Sequence, residues 1–239
     1  GSKIQTVELD VTDADSVKSA YVAIFAQTDA VDVLVNNAGI GFNATVEDVD
    51  IEAAHAVFET NYWGVIRCTQ TFLPQMRKRG RGHIINVSSV TGRIAAIAQP
   101  VYSSSKWALE GLSENLAQEL AAFGLRVSII EPGVTRTAIL PKNVGYPKPT
   151  AYEAAYRRML QFYARGIEAN VSADEVAETI LAAHRDPDPK LRYTCGWGGE
   201  ELTRGREAIS DEQWIALGKF ESDEDYYDAF EQVFGLALK

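Results

Sequence analysis

The sequence predicts an α/β protein built on a doubly wound parallel sheet with helices on both faces. Two observations carry this. Short apolar runs of strand length alternate with amphipathic runs of helix length from residue 4 to about residue 195. The strand-like runs also end in polar or glycine-rich residues: Asp10, Asn36 to Gly39, Ser88-Ser89 and Pro132-Gly133. An open α/β sheet holds its ligand crevice outside the carboxyl ends of its strands. The strand signals are too few for an eight-stranded barrel.

Ile4 to Leu9 alternates and reads as a first strand, with Thr12 and Asp15 in capping-box spacing for a helix from about Asp13 to Ala26. Val31 to Val35 is a more continuously apolar second strand, as expected of a strand covered on both faces. A long helical region runs from Ile51 to Arg79 and is expected to bend near Asn61 to Gly64. Ile84 to Val87 is a third strand, Val101 to Ala122 a helix, and Arg126 to Ile130 a fourth strand ending at Glu131-Pro132-Gly133.

Residues 134–150 carry Pro141, Gly145, Pro147 and Pro149 and read as a loop. A helix from about Thr150 to Arg165 follows, then one capped by Ser172 with Glu175, then a last strand over Leu191 to Thr194. Two short helices close the chain, capped by Ser210 with Gln213 and by Ser222 with Asp225. In the second, Tyr226, Phe230, Val233 and Phe234 share one face, which reads as packing rather than a site. Residues 1–198 are expected to form one domain, with 199–239 as a helical tail packed on it.

With 239 residues and 46% hydrophobic content, the chain can bury a full core. A formal net charge of −10, from 33 acidic and 23 basic residues, argues against a nucleic-acid partner. The cluster Arg77-Lys78-Arg79-Gly80-Arg81 reads as a solvated helix C-terminus favoured by the helix dipole. Two cysteines, Cys68 and Cys195, are too few for a disulfide scaffold, so a reducing cytoplasmic compartment is expected. No apolar run reaches the length that spans a bilayer, and no membrane partner is expected.

The most informative stretch is Gly82 to Lys106. An apolar strand ends in two serines, and a small-residue loop leads to Pro100, Tyr102 and Lys106. With Pro100 in the first turn of a helix, Tyr102 and Lys106 are neighbours on one face. A strand-end serine can then meet a tyrosine and a lysine at the mouth of the sheet. Tyr-x-x-x-Lys also arises often by chance, and the stretch alone reads more readily as an ordinary strand, loop and helix.

Taken together, the motifs of this chain resemble those of the short-chain dehydrogenases/reductases. The matching pieces, in order, are Asp10-Val11, Asn36-Asn37-Ala38-Gly39, Asn61-x-x-Gly64, Ser89, Tyr102-Ser-Ser-Ser-Lys106 and Pro132-Gly133-x-x-x-Thr137. The resemblance spans about residues 4–195. The family's serine-to-tyrosine spacing of thirteen selects Ser89 over Ser88; Ser88 is expected to be a buried hydroxyl satisfied locally. Lys106-Trp-Ala-Leu-Glu-Gly and the long segment after Pro132 look most like hydroxysteroid and retinol dehydrogenases.

The resemblance implies a Rossmann-type fold and NAD- or NADP-dependent interconversion of an alcohol and a carbonyl. It assigns catalysis to Asn61, Ser89, Tyr102 and Lys106. Tyrosine ordinarily titrates near about 10, and the Lys106 ammonium is expected to favour the phenolate and bring Tyr102 towards useful acid–base range. Ser89 would hydrogen-bond the substrate oxygen, and Asn61 would hold a water linking Lys106 to solvent. Asp10 and Val11 are expected at the adenine, and Asn37, Ala38 and Gly39 beside the ribose, which Tyr102 and Lys106 would also hold. Pro132, Gly133, Thr135 and Thr137 are expected at the nicotinamide end; most family members carry Ile or Val where Thr135 stands.

The expected partner is a small alcohol or ketone. Tyr146, Tyr152, Tyr156, Phe162 and Tyr163 suggest an apolar or aromatic one, though such residues more often serve simple helix packing. The family usually forms homodimers or homotetramers.

One family element does not appear: the phosphate-binding Thr-Gly-x-x-x-Gly-x-Gly after the first strand. The chain's first strand corresponds to the family's third, so two strand–helix units are missing, about 60 residues at roughly 30 per unit. Val31 to Val35 is then expected to be an exposed apolar edge. Two expectations follow. The Gly1-Ser2 start, which looks like a tag scar, and the otherwise intact site favour a sequence that omits an N-terminal segment of the working protein. The alternative is a non-catalytic relative that works by association. A non-redox epimerase or dehydratase sharing Tyr-x-x-x-Lys is disfavoured by the Asn-Asn-Ala-Gly element.

Overall fold

Three parallel pairings assemble the sheet of this computed structural model, which describes residues 4–137, 139, 147–148 and 150–239. The strands are β1 (Val33–Asn36), β2 (Gly82–Val87), β3 (Leu125–Pro132) and β4 (Arg192–Cys195), in the order β1-β2-β3-β4. Leu34 stands opposite Ile84, Ile84 opposite Val127, and Ile130 opposite Tyr193.

Between the strands run α1 (Ala14–Phe25), α2 (Ile51–Phe58), α3 (Gly64–Arg79), α4 (Pro100–Ala121), α5 (Glu153–Glu168) and α6 (Ala173–Arg185). After β4 come α7 (Gly199–Glu207), α8 (Asp211–Leu217) and α9 (Asp223–Phe234).

Successive strand residues face opposite sides, and the two sides find different helices. Ile84 and Val127 pack on Met76 of α3 and on Leu116 and Leu120 of α4. Ile85 and Ile130 pack on Ala183 of α6, with Val176 and Ile180 alongside. This is the doubly wound arrangement that the alternating pattern predicts. A third cluster joins Val90 and Ile94, just past β2, to Leu202, Tyr226, Phe230 and Phe234 of the last helices. The shared face expected of α9 is therefore packing.

Ile4 to Leu9 is the main correction. These residues form no strand, because a strand exists only through a ladder and no described strand lies beside them. Gln5, Val7 and Leu9 instead flank a groove against Ala20 and Ile24 of α1. Among the described residues β1 pairs only with β2, and Val35 on it is 38% exposed, as expected of an apolar edge.

Local caps also shift. Asp13, not Thr12, caps α1 by accepting from the Asp15 N–H at 2.9 Å. Ser172 makes no side-chain cap, and Glu175 accepts from the Gly196 N–H instead. Ser210 and Gln213 do form the reciprocal box. Arg79 is not simply solvated: it reaches Asp32 at 2.8 Å and the Val31 carbonyl at 2.5 Å, tying the end of α3 to the start of β1. Most of the loop expected over 134–150, including Tyr146, lies outside the described residues.

The expected bend in the long helix is a π-turn, Glu59–Trp63, between α2 and α3. Such a turn inserts one residue and swings its side chains off the regular helical faces. Gly64 follows directly, and an added Cβ there would stand 2.8 Å from Val11. The π-turn points Asn61 fully into the interior.

Candidate active site

A cavity of about 660 Å³ opens at the carboxyl ends of the strands. Three of the four described strands send residues to it: Asn37 and Gly39 after β1, Ser88 and Ser89 after β2, Pro132 and Gly133 at the end of β3. Tyr102 and Lys106 reach it from the first turns of α4, where Pro100 occupies the start of the helix.

Ser89 is extended, with φ −169° and ψ 161°, and begins a 3-10 turn over Val90–Gly92. Its hydroxyl accepts from the Thr91 N–H at 3.2 Å and donates to the Pro132 carbonyl at 3.4 Å. The same hydroxyl acts electrostatically on the Tyr102 phenol. Ser88 turns the other way, towards the buried Glu110. Ser88 Oγ is buried without a hydrogen-bond partner among the described residues, so the hydroxyl expected to be satisfied locally is not.

Lys106 is 5% exposed and donates to the Val87 carbonyl at 2.9 Å. Burial pushes its ammonium down from 10.5 to about 8, with the Glu110 carboxylate opposing. Nζ lies 5.7 Å from the centre of the Tyr102 ring. Burial likewise pushes the Tyr102 phenol up from its ordinary range, opposed by the Ser89 hydroxyl. Here burial, rather than the lysine, sets the direction of the Tyr102 shift.

Asn61 is held by protein groups. Its Nδ2 donates to the Ile40 carbonyl at 3.0 Å and to Ser105 Oγ at 3.1 Å, and its Oδ1 accepts from the Ile40 N–H at 2.9 Å. It sits behind the cavity wall next to Gly39. A Cβ added at Gly39 would meet Asn61 Oδ1 at 3.4 Å and Lys106 Nζ at 3.7 Å. The glycine thus leaves backbone and ammonium open on one wall.

Among the expected cofactor contacts, Asn37, Gly39, Tyr102, Lys106, Pro132, Gly133, Thr135 and Thr137 line the cavity, while Asp10, Val11 and Ala38 do not. Asp10 accepts from the Thr12 N–H and hydroxyl at 2.8 and 2.7 Å, which holds its carboxyl below the usual range. Val11 packs on Gly64, and its carbonyl accepts from Arg67 at 3.3 Å.

The sequence reading missed Gln99, the residue before Pro100. Its amide meets the Tyr163 hydroxyl and donates to Asn43 Oδ1 at 3.0 Å, bringing α5 to the cavity beside Tyr102. Burial pushes the Tyr163 phenol up. The only signal was position: Gln99 abuts the proline that opens α4. On the far wall, Val176 and Ile180 of α6 are apolar.

The chain is similar to known proteins over most of its length. The short chain dehydrogenase family model matches residues 1–145. An uncharacterized oxidoreductase of Bacillus subtilis, YusZ, is 40% identical over 201 residues, which are 82% of this chain and 71% of that protein. The mouse 17-beta-hydroxysteroid dehydrogenase type 1 is 40% identical over 196 residues, 80% of this chain and 56% of that one. This chain thus spans little more than half of the mouse enzyme.

A short-chain dehydrogenase from Streptomyces avermitilis superposes with a TM-score of 0.76 at 32% identity, covering 90% of this chain and 80% of that one. One from Burkholderia cenocepacia, solved in complex with NADP, gives 0.69 at 26% identity, covering 90% and 78%. The chain belongs to the short-chain dehydrogenase family.

Proposed function

We propose that this chain carries the site of an NAD(P)-dependent oxidoreductase that interconverts an alcohol and a carbonyl. The observation that carries the reading is convergence: Ser89 and Tyr102 stand on the wall of one cavity, with the Lys106 ammonium buried beside them.

When bound, the nicotinamide supplies or accepts the hydride. The residues of this chain do the rest. Tyr102 exchanges a proton with the substrate oxygen. Ser89 donates to that oxygen and stabilises the charge that develops there. Lys106, held by the Val87 carbonyl, favours the phenolate of Tyr102. Asn61 positions Gly39 and Ile40 rather than touching substrate.

The residues present fit the nicotinamide–ribose half of such a cofactor. Gly39 leaves a bare backbone beside Lys106, and the hydroxyls of Thr135 and Thr137 line the same cavity. Asn37, Pro132 and Gly133 complete this wall, and Asp10, Val11 and Ala38 are assigned to the cofactor by family resemblance. Either NAD or NADP is consistent with these residues. Apolar walls from Phe162, Val176 and Ile180 favour an apolar alcohol or ketone as substrate. A homodimer or homotetramer in the cytoplasm is the assembly we expect.

A second reading, in which the chain works by association, draws on the exposed side of β1 at Val35. Titration of the chain with NADH and NADPH, followed by nucleotide fluorescence, separates the two. Saturable binding, with reduced nucleotide consumed in proportion to an added carbonyl, supports the enzyme. A folded protein extended upstream by the glycine-rich phosphate-binding unit that still binds neither nucleotide overturns it in favour of association.

A further inference from the structure

The proposed chemistry leaves one buried charge cluster unused, and it begins on the catalytic helix. Tyr102, Lys106 and Glu110 follow at four-residue steps on one face of α4. Glu110 is 5% exposed, and its Oε2 accepts from Arg192 Nε of β4 at 2.9 Å. The same Nε lies 3.2 Å from Glu131 Oε1 at the end of β3. Arg93, just after the turn that begins at Ser89, reaches that Glu131 oxygen at 3.3 Å.

Exposed carboxylates close the outer ends, Glu114 on Arg192 and Glu207 on Arg93. The Ser88 hydroxyl and Glu110 Oε1 lie together behind Gly92, where an added Cβ would meet them at 2.7 and 3.2 Å. Four carboxylates thus face two guanidiniums, and the next cation inward is Lys106.

We propose that Glu110 is a positioning residue: anchored by Arg192, its buried carboxylate keeps the Lys106 side chain cationic at the cavity. Burying a lone ammonium is costly, and an opposite charge fixed one turn away offsets part of that cost. Burial drives Lys106 down to about 8, and Glu110 is the group that opposes it. Burial raises Glu110 in turn, with Ser88, Arg192 and Arg93 opposing, while Glu110 helps to raise Glu131. The groups facing Glu110 are therefore Ser88 past β2, Arg93, Glu131 on β3, Arg192 on β4, and Lys106 and Glu114 on its own helix. The consequence for turnover rests on the roles given above to Tyr102 and Lys106; the electrostatic coupling does not.

Lysine labelled with nitrogen-15 and carbon-13 in the full chain tests this without cofactor. The Lys106 Nζ–Cε resonance is assigned by its loss in Lys106→Met and titrated in the wild type, Glu110→Gln and Glu114→Gln. The Lys106 midpoint is expected to fall by roughly one pH unit in Glu110→Gln and to stay near the wild-type value in Glu114→Gln. A folded Glu110→Gln protein with an unchanged midpoint overturns the proposal.

The wild type decides even where that variant does not fold. Its Lys106 resonance must show a second inflection on the acid side as Glu110 titrates, and a single-step curve overturns the proposal. A shifted midpoint in a chain that turns over no substrate would sink the enzyme reading and leave the coupling standing.

Discussion

Asn61 and Ile40 are joined by a pair of hydrogen bonds, the Ile40 N–H donating to Oδ1 at 2.9 Å and Nδ2 donating to the Ile40 carbonyl at 3.0 Å. A side-chain amide here takes the place of a neighbouring strand, clamping the loop after β1 that carries Asn37 and Gly39. The π-turn aims the amide, and Ser105 Oγ of α4 completes it at 3.1 Å. One residue thereby connects the bent helix, the glycine wall and α4.

Asn61→Ala removes all three bonds, taking the side-chain partner from the Ile40 N–H and carbonyl while Ser105 Oγ keeps the Tyr102 carbonyl. The expected loss is about 1–3 kcal/mol in urea unfolding, with faster amide exchange at Ile40. An unchanged unfolding midpoint would remove the clamp from the account.

Tyr102→Phe removes only the phenolic oxygen. Turnover is expected to fall by about 10²–10⁴-fold, while NAD(P)H affinity stays nearly the same. Steady-state kinetics beside a fluorescence titration checks both halves, and retained turnover refutes the role of Tyr102.

Gly133→Ala tests packing rather than chemistry. A Cβ there would stand 2.0 Å from the Trp197 carbonyl oxygen, in backbone that cannot turn aside as a side chain can. A loss of about 1–3 kcal/mol or more is expected by thermal or urea unfolding. Wild-type stability in this variant would mean that the turn after β4 yields freely.

His83 links stability to pH at the opposite end of the sheet. It is 1% exposed, bonds Ser128 Oγ at 2.9 Å, and faces His184 Nδ1 at 3.3 Å. Burial, helped by Arg126 and His184, lowers it from 6.5 to about 4. Between those values the unfolded chain binds more protons than the folded one, so stability falls as pH drops through that window. The contribution is up to about 3 kcal/mol. The stability difference between the wild type and His83→Gln should therefore shrink or reverse from about pH 6.5 to about 4. A difference that stays constant with pH refutes this linkage.

Much of this site was legible because its residues are local in sequence. Ser89, Tyr102 and Lys106 lie within one strand–loop–helix unit, and thirteen- and four-residue spacings place them. Caps were less legible, because neighbours compete for one helix end: Asp13 took the place of Thr12, and Glu175 was drawn away to the Gly196 N–H. Helix α7 escaped notice because it begins at a glycine and is charged around much of its surface. Its apolar contact, Leu202, matters only once Val90 and the last helix are beside it.

The sequence by itself determined the alternation of strands and helices, the bend at Asn61, the strand-end edge where the chemistry gathers, and the family. These follow from periodicity and short-range geometry, which a chain carries wherever it is folded. Only the tertiary structure decided the rest. It left Ile4 to Leu9 without a ladder, since pairing needs a neighbour that alternation cannot supply. It brought Gln99 against Tyr163, and it set Glu110 on Arg192 from across 82 residues. It also made burial the dominant influence on Tyr102 and Lys106. Desolvation depends on everything packed around a group, and no spacing along the chain encodes it.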